Sequence, residues 1–286
     1  MGTVAFGPAL QSSPLPPSVA AEQRIPSQTP APASAISLAF EGVPSYALGA
    51  TPKLPLPRSV FLLDSDQPQT RSLRVPEDYT LSMAVILAKP GDHILISPGT
   101  YRVSREMTVR KEGVVIRGVG EDPSEVVVEG NQKDRIFVVK ADGVKFENFT
   151  LTKAVRAIWI EESSGVVIDK MVFDGNIRQG VAVVNAGPEI MIQDSLFVNT
   201  QSFIGDDGRE IGGAGIAMVF GSSGILVKNN QFKDNMGGSI YILQAGDIVI
   251  VNNSIIDTVP HNSGRWGDGV HIFESEGTVK KWRKPP

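Results

Sequence analysis

Several absences narrow the function classes open to this 286-residue chain. It has no cysteine, which excludes a disulfide framework, a thiolate zinc site and a cysteine nucleophile. Its three histidines, His93, His261 and His271, are too few for a multi-histidine metal centre. No apolar run approaches the roughly 18 residues of a transmembrane helix, and no signal peptide is visible at the N-terminus. The net charge of −4 predicts that no long basic surface binds nucleic acid.

Proline is abundant only near the N-terminus, where eleven of the twenty prolines lie within residues 1–57. Serine, alanine and glutamine fill the gaps, and such a composition buries too little apolar area to offset the entropy of ordering. We predict that residues 1–65 form a Pro/Ser/Ala-rich leader, partly disordered or packed along the body. Residues 66–286 are predicted to form one domain.

An eight-residue pattern recurs through this domain. Its first and third positions are apolar in every unit, as in the buried face of a strand. Its fifth position is Gly, Asn or Asp in five of six units, the residue types that tolerate a left-handed backbone. Each unit therefore predicts a strand that ends in a tight bend. The units begin at Val114, Val144, Val166, Ile190, Ile225 and Ile248.

A second apolar strand accompanies each unit. Eight or nine residues separate it from the next unit, whereas the preceding connection varies in length from 14 to 26 residues. Such short connections exclude a crossover helix, and coils of this length suit a solenoid. The inward pairs of the second strand are Ile136/Val138, Ile158/Ile160, Val181/Val183, Ile216/Met218, Ile240/Ile242 and Val270/Ile272. We predict an all-β fold, a single-stranded right-handed parallel β-helix of about seven or eight coils, with residues 76–89 forming a helix that caps its N-terminal end.

Two segments carry a family resemblance. Residues 88–101, AKPGDHILISPGTY, and residues 115–120, VIRGVG, resemble the opening coils of the pectate-lyase-like parallel β-helix superfamily. This superfamily includes pectin methylesterases, polysaccharide lyases, uronate epimerases and NosD-type repeats. The resemblance extends over about residues 74–280 and implies a polysaccharide partner and an extracytoplasmic location. It implies no single activity, because the superfamily hosts many chemistries and some proteins that are not enzymes.

The outward residue within each inward pair defines a column along the predicted helix. Its aromatic members would stack on the apolar faces of sugar rings, and its two alanines would form the floor between them. The alternative is that the column only decorates an exposed strand or lies beneath a loop. The column contains Phe137, Trp159, Ala182, Ala217, Tyr241 and His271. We predict that Phe137, Trp159 and Tyr241 bind substrate.

The two longest insertions, residues 198–215 and 256–269, leave the same corner of two coils that have one coil between them. They should form walls beside Tyr241, and loops raised on a rigid scaffold commonly carry functional sites. The candidate catalytic residues are Asp206, Asp207, Arg209, Arg265, Asp268 and His271, and the candidate binding residues on these walls are Glu210 and Trp266.

This set of side chains suits an acidic polysaccharide. An arginine would neutralise a uronate carboxylate, a histidine or tyrosine would remove the C5 proton, and another group would protonate the leaving oxygen. That describes a lyase, and return of the proton to the opposite face would make a C5-epimerase. A pair of carboxylates would instead hydrolyse a glycosidic bond. We predict no cofactor, with Ca²⁺ bound by the same carboxylates as the one alternative.

The outward residues of the first strand indicate a competing, non-catalytic function. Five of six are apolar, although a solvent-facing sheet normally carries polar residues there. They are Val115, Lys145, Val167, Met191, Leu226 and Val249. Residues 36–63, a second copy of the chain or another protein would cover this face. The chain would then be a structural or assembly subunit that binds protein through this face and its leader.

Overall fold

Short strands alternate with tight corners throughout the described part of the chain. The structure, a computed structural model, describes residues 70–204, 208, 210–256, 268–275 and 279–282. At 210–211, 268 and 279–282 only the backbone is described. The predicted leader, its segment 36–63 and the boundary at residue 65 lie outside these residues.

The described elements in the N-terminal half are β1 (Ser72–Val75), α1 (Leu81–Leu87), β2 (His93–Ile96), β3 (Gly99–Arg102), β4 (Met107–Val109), β5 (Val115–Gly118), a 3-10 turn (Pro123–Glu125), β6 (Val126–Glu129), β7 (Arg135–Val139), β8 (Lys145–Glu147), β9 (Thr150–Thr152), β10 (Arg156–Glu161), β11 (Val167–Asp169) and β12 (Val172–Asp174). Those that follow are β13 (Gln179–Val184), β14 (Ile190–Gln193), β15 (Leu196–Val198), β16 (Ser202–Ile204), β17 (Glu210–Val219), β18 (Ser223–Lys228), β19 (Gln231–Lys233), β20 (Gly237–Leu243), β21 (Gly246–Ile256), β22 (Asp268–Phe273) and β23 (Val279–Trp282).

These strands form three parallel sheets that run along one solenoid. The first sheet contains β1, β2, β5, β8, β11, β14, β18, β21 and β23, and the second contains β3, β6, β9, β12, β15, β19 and the end of β21. The third sheet contains β4, β7, β10, β13, β17, β20 and β22. Each coil visits the sheets in that order, which gives seven described coils with strands in all three. The predicted all-β parallel β-helix and its coil number are confirmed.

The predicted bend lies between the first and second sheets. Asn148, Lys170, Asp194, Asn229 and Asn252 all have φ between 50° and 61°. At the sixth position, Gly118 is needed for space, because a Cβ there would lie 2.1 Å from the carbonyl oxygen of Asn148. Each coil has three strands, whereas the sequence analysis predicted two. The strand that was missed follows the bend and belongs to the second sheet.

Identical residue types stack on one another from coil to coil inside the solenoid. The rings of Phe173, Phe197 and Phe232 are parallel, with centroids 4.6 and 4.9 Å apart. Buried asparagine side chains form hydrogen bonds with the backbone at the corners. The side chain of Asn230 accepts a hydrogen bond from the amide of Ser195 and donates one to the carbonyl of Ile192. Apolar stacking and satisfied corner amides together hold each coil at the spacing of the next.

A short helix packs at the N-terminal end, as predicted, but it is shorter than residues 76–89. It begins after Thr80, whose hydroxyl accepts from the amide of Met83, and it ends at Leu87 shortly before Pro90. It contacts β1, β2 and β4, and β1 was not predicted. In the part of the chain that the structure describes, no helix has the length and apolarity to cross a membrane.

Candidate functional site

The outer face of the third sheet carries the predicted column. Strand register places Trp159, Ala182, Ala217, Tyr241 and His271 at equivalent positions in successive coils. The two alanines are only 2% and 5% exposed, so they do not form the open floor that the sequence predicts. The concave part of this face lies toward the beginning of each strand, at the register position of Ala214 and Gly238.

The assignment of Phe137 to this column is wrong. Phe137 pairs with Ile158 rather than with Trp159, and its ring is buried against Phe146 at a centroid distance of 5.1 Å. Val138 takes the outward position instead. Four consecutive apolar residues, 136–139, leave no alternation from which to choose the face, and the large ring enters the core because it buries the most apolar area there.

A cleft of about 230 Å³ opens where the outward side chains become small. Its floor includes Ala214 and Gly238, which follow Gln179 at the same register position. Tyr241 and His271 line the same cleft, as does Arg178. The structure thus brings together two of the predicted residues, Tyr241 and His271, at a concave surface, the shape that ligand sites commonly have.

One wall of the cleft is a β-hairpin. Residues 202–204 of β16 pair antiparallel with residues 210–212 of β17, so the first predicted insertion rises beside Tyr241. Phe203 lines the cleft, and the guanidinium carbon of Arg178 lies 3.8 Å from the centre of its ring. Gly237 seats the hairpin close to the sheet, since a Cβ there would lie 2.5 Å from the Cα of Gly212.

Aromatic rings continue from the cleft along the last two described coils. The rings of Tyr241 and His271 are stacked with centroids 5.9 Å apart, and the rings of His271 and Phe273 are 3.9 Å apart. Burial raises the pKa of the Tyr241 phenol above its usual value. The phenol is therefore protonated at neutral pH and can donate a hydrogen bond.

A cluster of arginines, which the sequence analysis did not identify, lies next to the cleft. The guanidinium carbons of Arg135 and Arg156 lie 5.1 and 5.0 Å from the ring centre of Trp159. The Nε of Arg156 donates to Gln179 Oε1 at 2.7 Å. Burial, reinforced by the charges of Arg178 and Arg135, lowers the pKa of Arg156 to about 10. Arg156 and Gln179 share the register position of Asp268, so the repeat itself was the signal that would have revealed them.

Most of the other predicted site residues lie where side chains are not described. For Glu210 and Asp268 only the backbone is described: Glu210 is in β17, and Asp268 pairs with Gly238. No group of three or more His, Asp or Glu side chains that could hold a metal occurs among the described residues. The residues outside the described ranges are Asp206, Asp207, Arg209, Arg265 and Trp266.

Comparison with known proteins agrees with this architecture. Residues 112–281 match the family described as right handed beta helix region, and no curated protein sequence matches the chain. Among solved structures, a rhamnogalacturonan lyase aligns with a TM-score of 0.56 and 13% identity over 76% of this chain and 64% of its own. ORF18 of Geobacillus virus E2 aligns with a TM-score of 0.52 and 11% identity over 68% and 44%.

A mannuronic acid specific polysaccharide family 6 lyase from human gut microbiota aligns with a TM-score of 0.51 and 15% identity over 73% of this chain and 55% of its own. The chain thus spans about half to two thirds of the length of these three proteins. At such low identity the alignments establish the fold alone, and the predicted likeness to pectate-lyase-like β-helices is confirmed at that level. With its family match extending over more than half of its residues, the chain belongs to the right handed beta helix region family.

Proposed function

We propose that the cleft on the third sheet binds an acidic, uronate-containing polysaccharide and cleaves it by β-elimination. One observation carries the proposal: Arg178, Tyr241 and His271 line a single cleft on the outer face of the solenoid. An arginine matches a sugar carboxylate, and the two rings suit the apolar face of a sugar. Two of the aligned structures are polysaccharide lyases by name, and this supports the proposal.

Each group in the cleft has a part in such a reaction. Arg178 neutralises the uronate carboxylate, which makes the C5 proton more acidic. His271 takes that proton, a double bond forms between C4 and C5, and the bond from C4 to the glycosidic oxygen breaks with its electrons on oxygen. Tyr241 gives its phenolic proton to the leaving oxygen, consistent with a pKa raised by burial. Asp206, Asp207, Arg209, Arg265 and Asp268 remain candidates for these steps on the two insertions, with Glu210 and Trp266 as candidate binding residues.

The test is a product assay on the full chain with alginate, polygalacturonate and a glycosaminoglycan. A lyase creates an ultraviolet-absorbing unsaturated uronate, a hydrolase creates reducing ends alone, and an epimerase changes the sugar without cleavage. We expect unsaturated product from the wild type and none from His271→Ala or Tyr241→Phe. Phe220→Leu, at an exposed position that does not line the cleft, should retain activity. Reducing ends without unsaturation would overturn the proposal of a lyase.

A second candidate function rests on the outer face of the first sheet. In register along this face stand Val115, Lys145, Val167, Met191, Leu226 and Val249. Val249 is 39% exposed, and the other apolar members are half-buried. A strip of valine, methionine and leucine on an outer face suits a protein partner, including a second copy of this chain.

Light scattering after gel filtration tests this second candidate. If the strip forms a homo-oligomer, Met191→Lys combined with Leu226→Lys should leave a monomer with an unchanged melting temperature. Arg102→Glu, placed on the second sheet, is the matched charge control and should not change the mass. A wild-type chain that is monomeric at all concentrations would remove the homo-oligomer.

A further inference from the structure

We infer that Arg135, Arg156 and Trp159 form a separate anchoring subsite for an anionic sugar of the same polysaccharide, on the N-terminal side of the cleft. The inference rests on the proposed function and specifies the path of the polysaccharide across the third sheet. The subsite lies in the second and third coils, whereas the rings of the cleft lie in the sixth and seventh. At about 4.8 Å per coil, Trp159 and Tyr241 are roughly 14 Å apart.

Two positive charges lie close together in this subsite. Arg135 and Arg156 stand directly opposite each other in adjacent strands, and the positive charge of Arg135 contributes to lowering the pKa of Arg156. Arg135 pairs with Glu106 at 3.0 Å, but among the described residues no carboxylate lies within 4 Å of Arg156. Like charges directly opposite each other destabilise a sheet. An anionic group between the two guanidinium groups would remove this repulsion and form charge-assisted hydrogen bonds.

The aromatic ring of the subsite is held in place before any ligand binds. The indole N–H of Trp159 donates to Glu161 Oε2 at 2.6 Å, and Glu161 also pairs with Lys140. The pKa of Glu161 is lowered by its bonds from Lys140 and Trp159, so its carboxylate stays ionised at neutral pH. A ring fixed in this way presents one orientation, which reduces the entropy that a bound sugar must offset.

The subsite is continuous with the cleft. Gln179 accepts from Arg156 and also lines the cleft, and Ala214 and Gly238 continue its register position as the cleft floor. The path from the subsite to the cleft therefore follows one register position, along which the side chains shorten from Gln179 to Ala214 and Gly238. A polymer along this path lies parallel to the solenoid axis, with its charged group on Arg156 and its reacting sugar at Tyr241.

The experiment compares binding of alginate and polygalacturonate with binding of neutral dextran, by calorimetry on the full chain at two salt concentrations. The variants are Arg156→Gln, Arg135→Gln with Arg156→Gln, and Trp159→Phe, and Arg102→Gln is the control. Arg102 lies on the second sheet with an 84% exposed side chain, so its loss removes a charge without touching this face. Circular dichroism melts identify any variant that has lost its fold, and Arg156→Lys then serves as the conservative replacement.

We expect the double variant to bind the acidic polymers about tenfold more weakly and with a smaller salt dependence, because it lacks charge-assisted bonds. Trp159→Phe should keep most of the affinity but lose part of the tryptophan fluorescence change on binding. Arg102→Gln should behave as the wild type. Wild-type affinity in the double variant would overturn the anchoring subsite alone. Failure of the wild type to bind either acidic polymer would overturn the proposed function and the subsite together.

Discussion

Arg156 and Ala214 occupy the same register position of the third sheet, two coils apart, with Gln179 between them. A long charged side chain thus gives way to an amide and then to a methyl group along one straight row. The cleft begins where this row loses its side chains, and the antiparallel hairpin of Phe203 raises a wall beside it. The shape of the site follows from residue size at a single position of the repeat.

Filling that row should block the cleft without disturbing the coil. We expect Ala214→Leu to weaken binding of an acidic polysaccharide roughly tenfold, because the longer side chain would occupy the space above the floor. Ala214→Ser adds one atom and should bind as the wild type does. Calorimetry on both variants checks this, and equal affinity in Ala214→Leu would mean that the polymer does not enter here.

Removing the middle ring of the phenylalanine stack should destabilise the solenoid. Phe197 is fully buried between Phe173 and Phe232, so Phe197→Ala should lower the free energy of unfolding by roughly 3–5 kcal/mol through lost contacts and a cavity. Phe220 is 54% exposed, and Phe220→Ala should change it by less than about 0.5 kcal/mol. Urea denaturation measures both, and similar losses would show that burial does not govern the difference.

The repeating fold could be predicted from the sequence because residues of the same type recur at fixed positions. The apolar pairs and the left-handed corners, such as Asn229 and Asn252, predicted the solenoid. Strands of three residues, such as Thr150–Thr152, are too short to show an alternation, so the second sheet was missed. The predicted outward orientation of Phe137 was wrong because its neighbours in the strand are also apolar and show no alternation.

The candidate site could be predicted from the sequence only in part, for a different reason. Tyr241 and His271 stand in one column by period alone, and the structure places them together. The position of Arg178 depends on how the hairpin of Phe203 folds back, which no period describes. Arg156 was within reach, since it shares a repeat position with Asp268, which was selected as a residue of the second insertion.

The buried asparagines should contribute more to the free energy of unfolding than their exposed neighbours do. Asn230→Ala leaves the amide of Ser195 and the carbonyl of Ile192 without their side-chain partner in the interior, and each buried polar group left unpaired costs about 1–3 kcal/mol. Gln231→Ala, on the exposed side of the adjoining strand, is the control and should be nearly neutral. Thermal melts of both variants test this, and equal melting temperatures would contradict the role of Asn230.

The first coil should lose stability in acid through Asp92. Burial acts to raise the pKa of this carboxyl, but hydrogen bonds from Arg71 and from the amide of Lys89 outweigh burial and hold it below the usual value of about 3.9. A carboxyl whose pKa is lower in the folded state contributes stability above its unfolded pKa and loses it as the pH falls through the folded value. Asp92→Asn should therefore cost about 1–2 kcal/mol at neutral pH, because the bonds to a charged acceptor are lost. The gap between wild type and Asp92→Asn should stay constant down to about pH 5 and close below about pH 4, whereas Glu112→Gln, at an exposed position, should show no such gap. A gap that widens in acid would show that the Asp92 pKa is raised, and the pairing with Arg71 would then not be what secures the first coil.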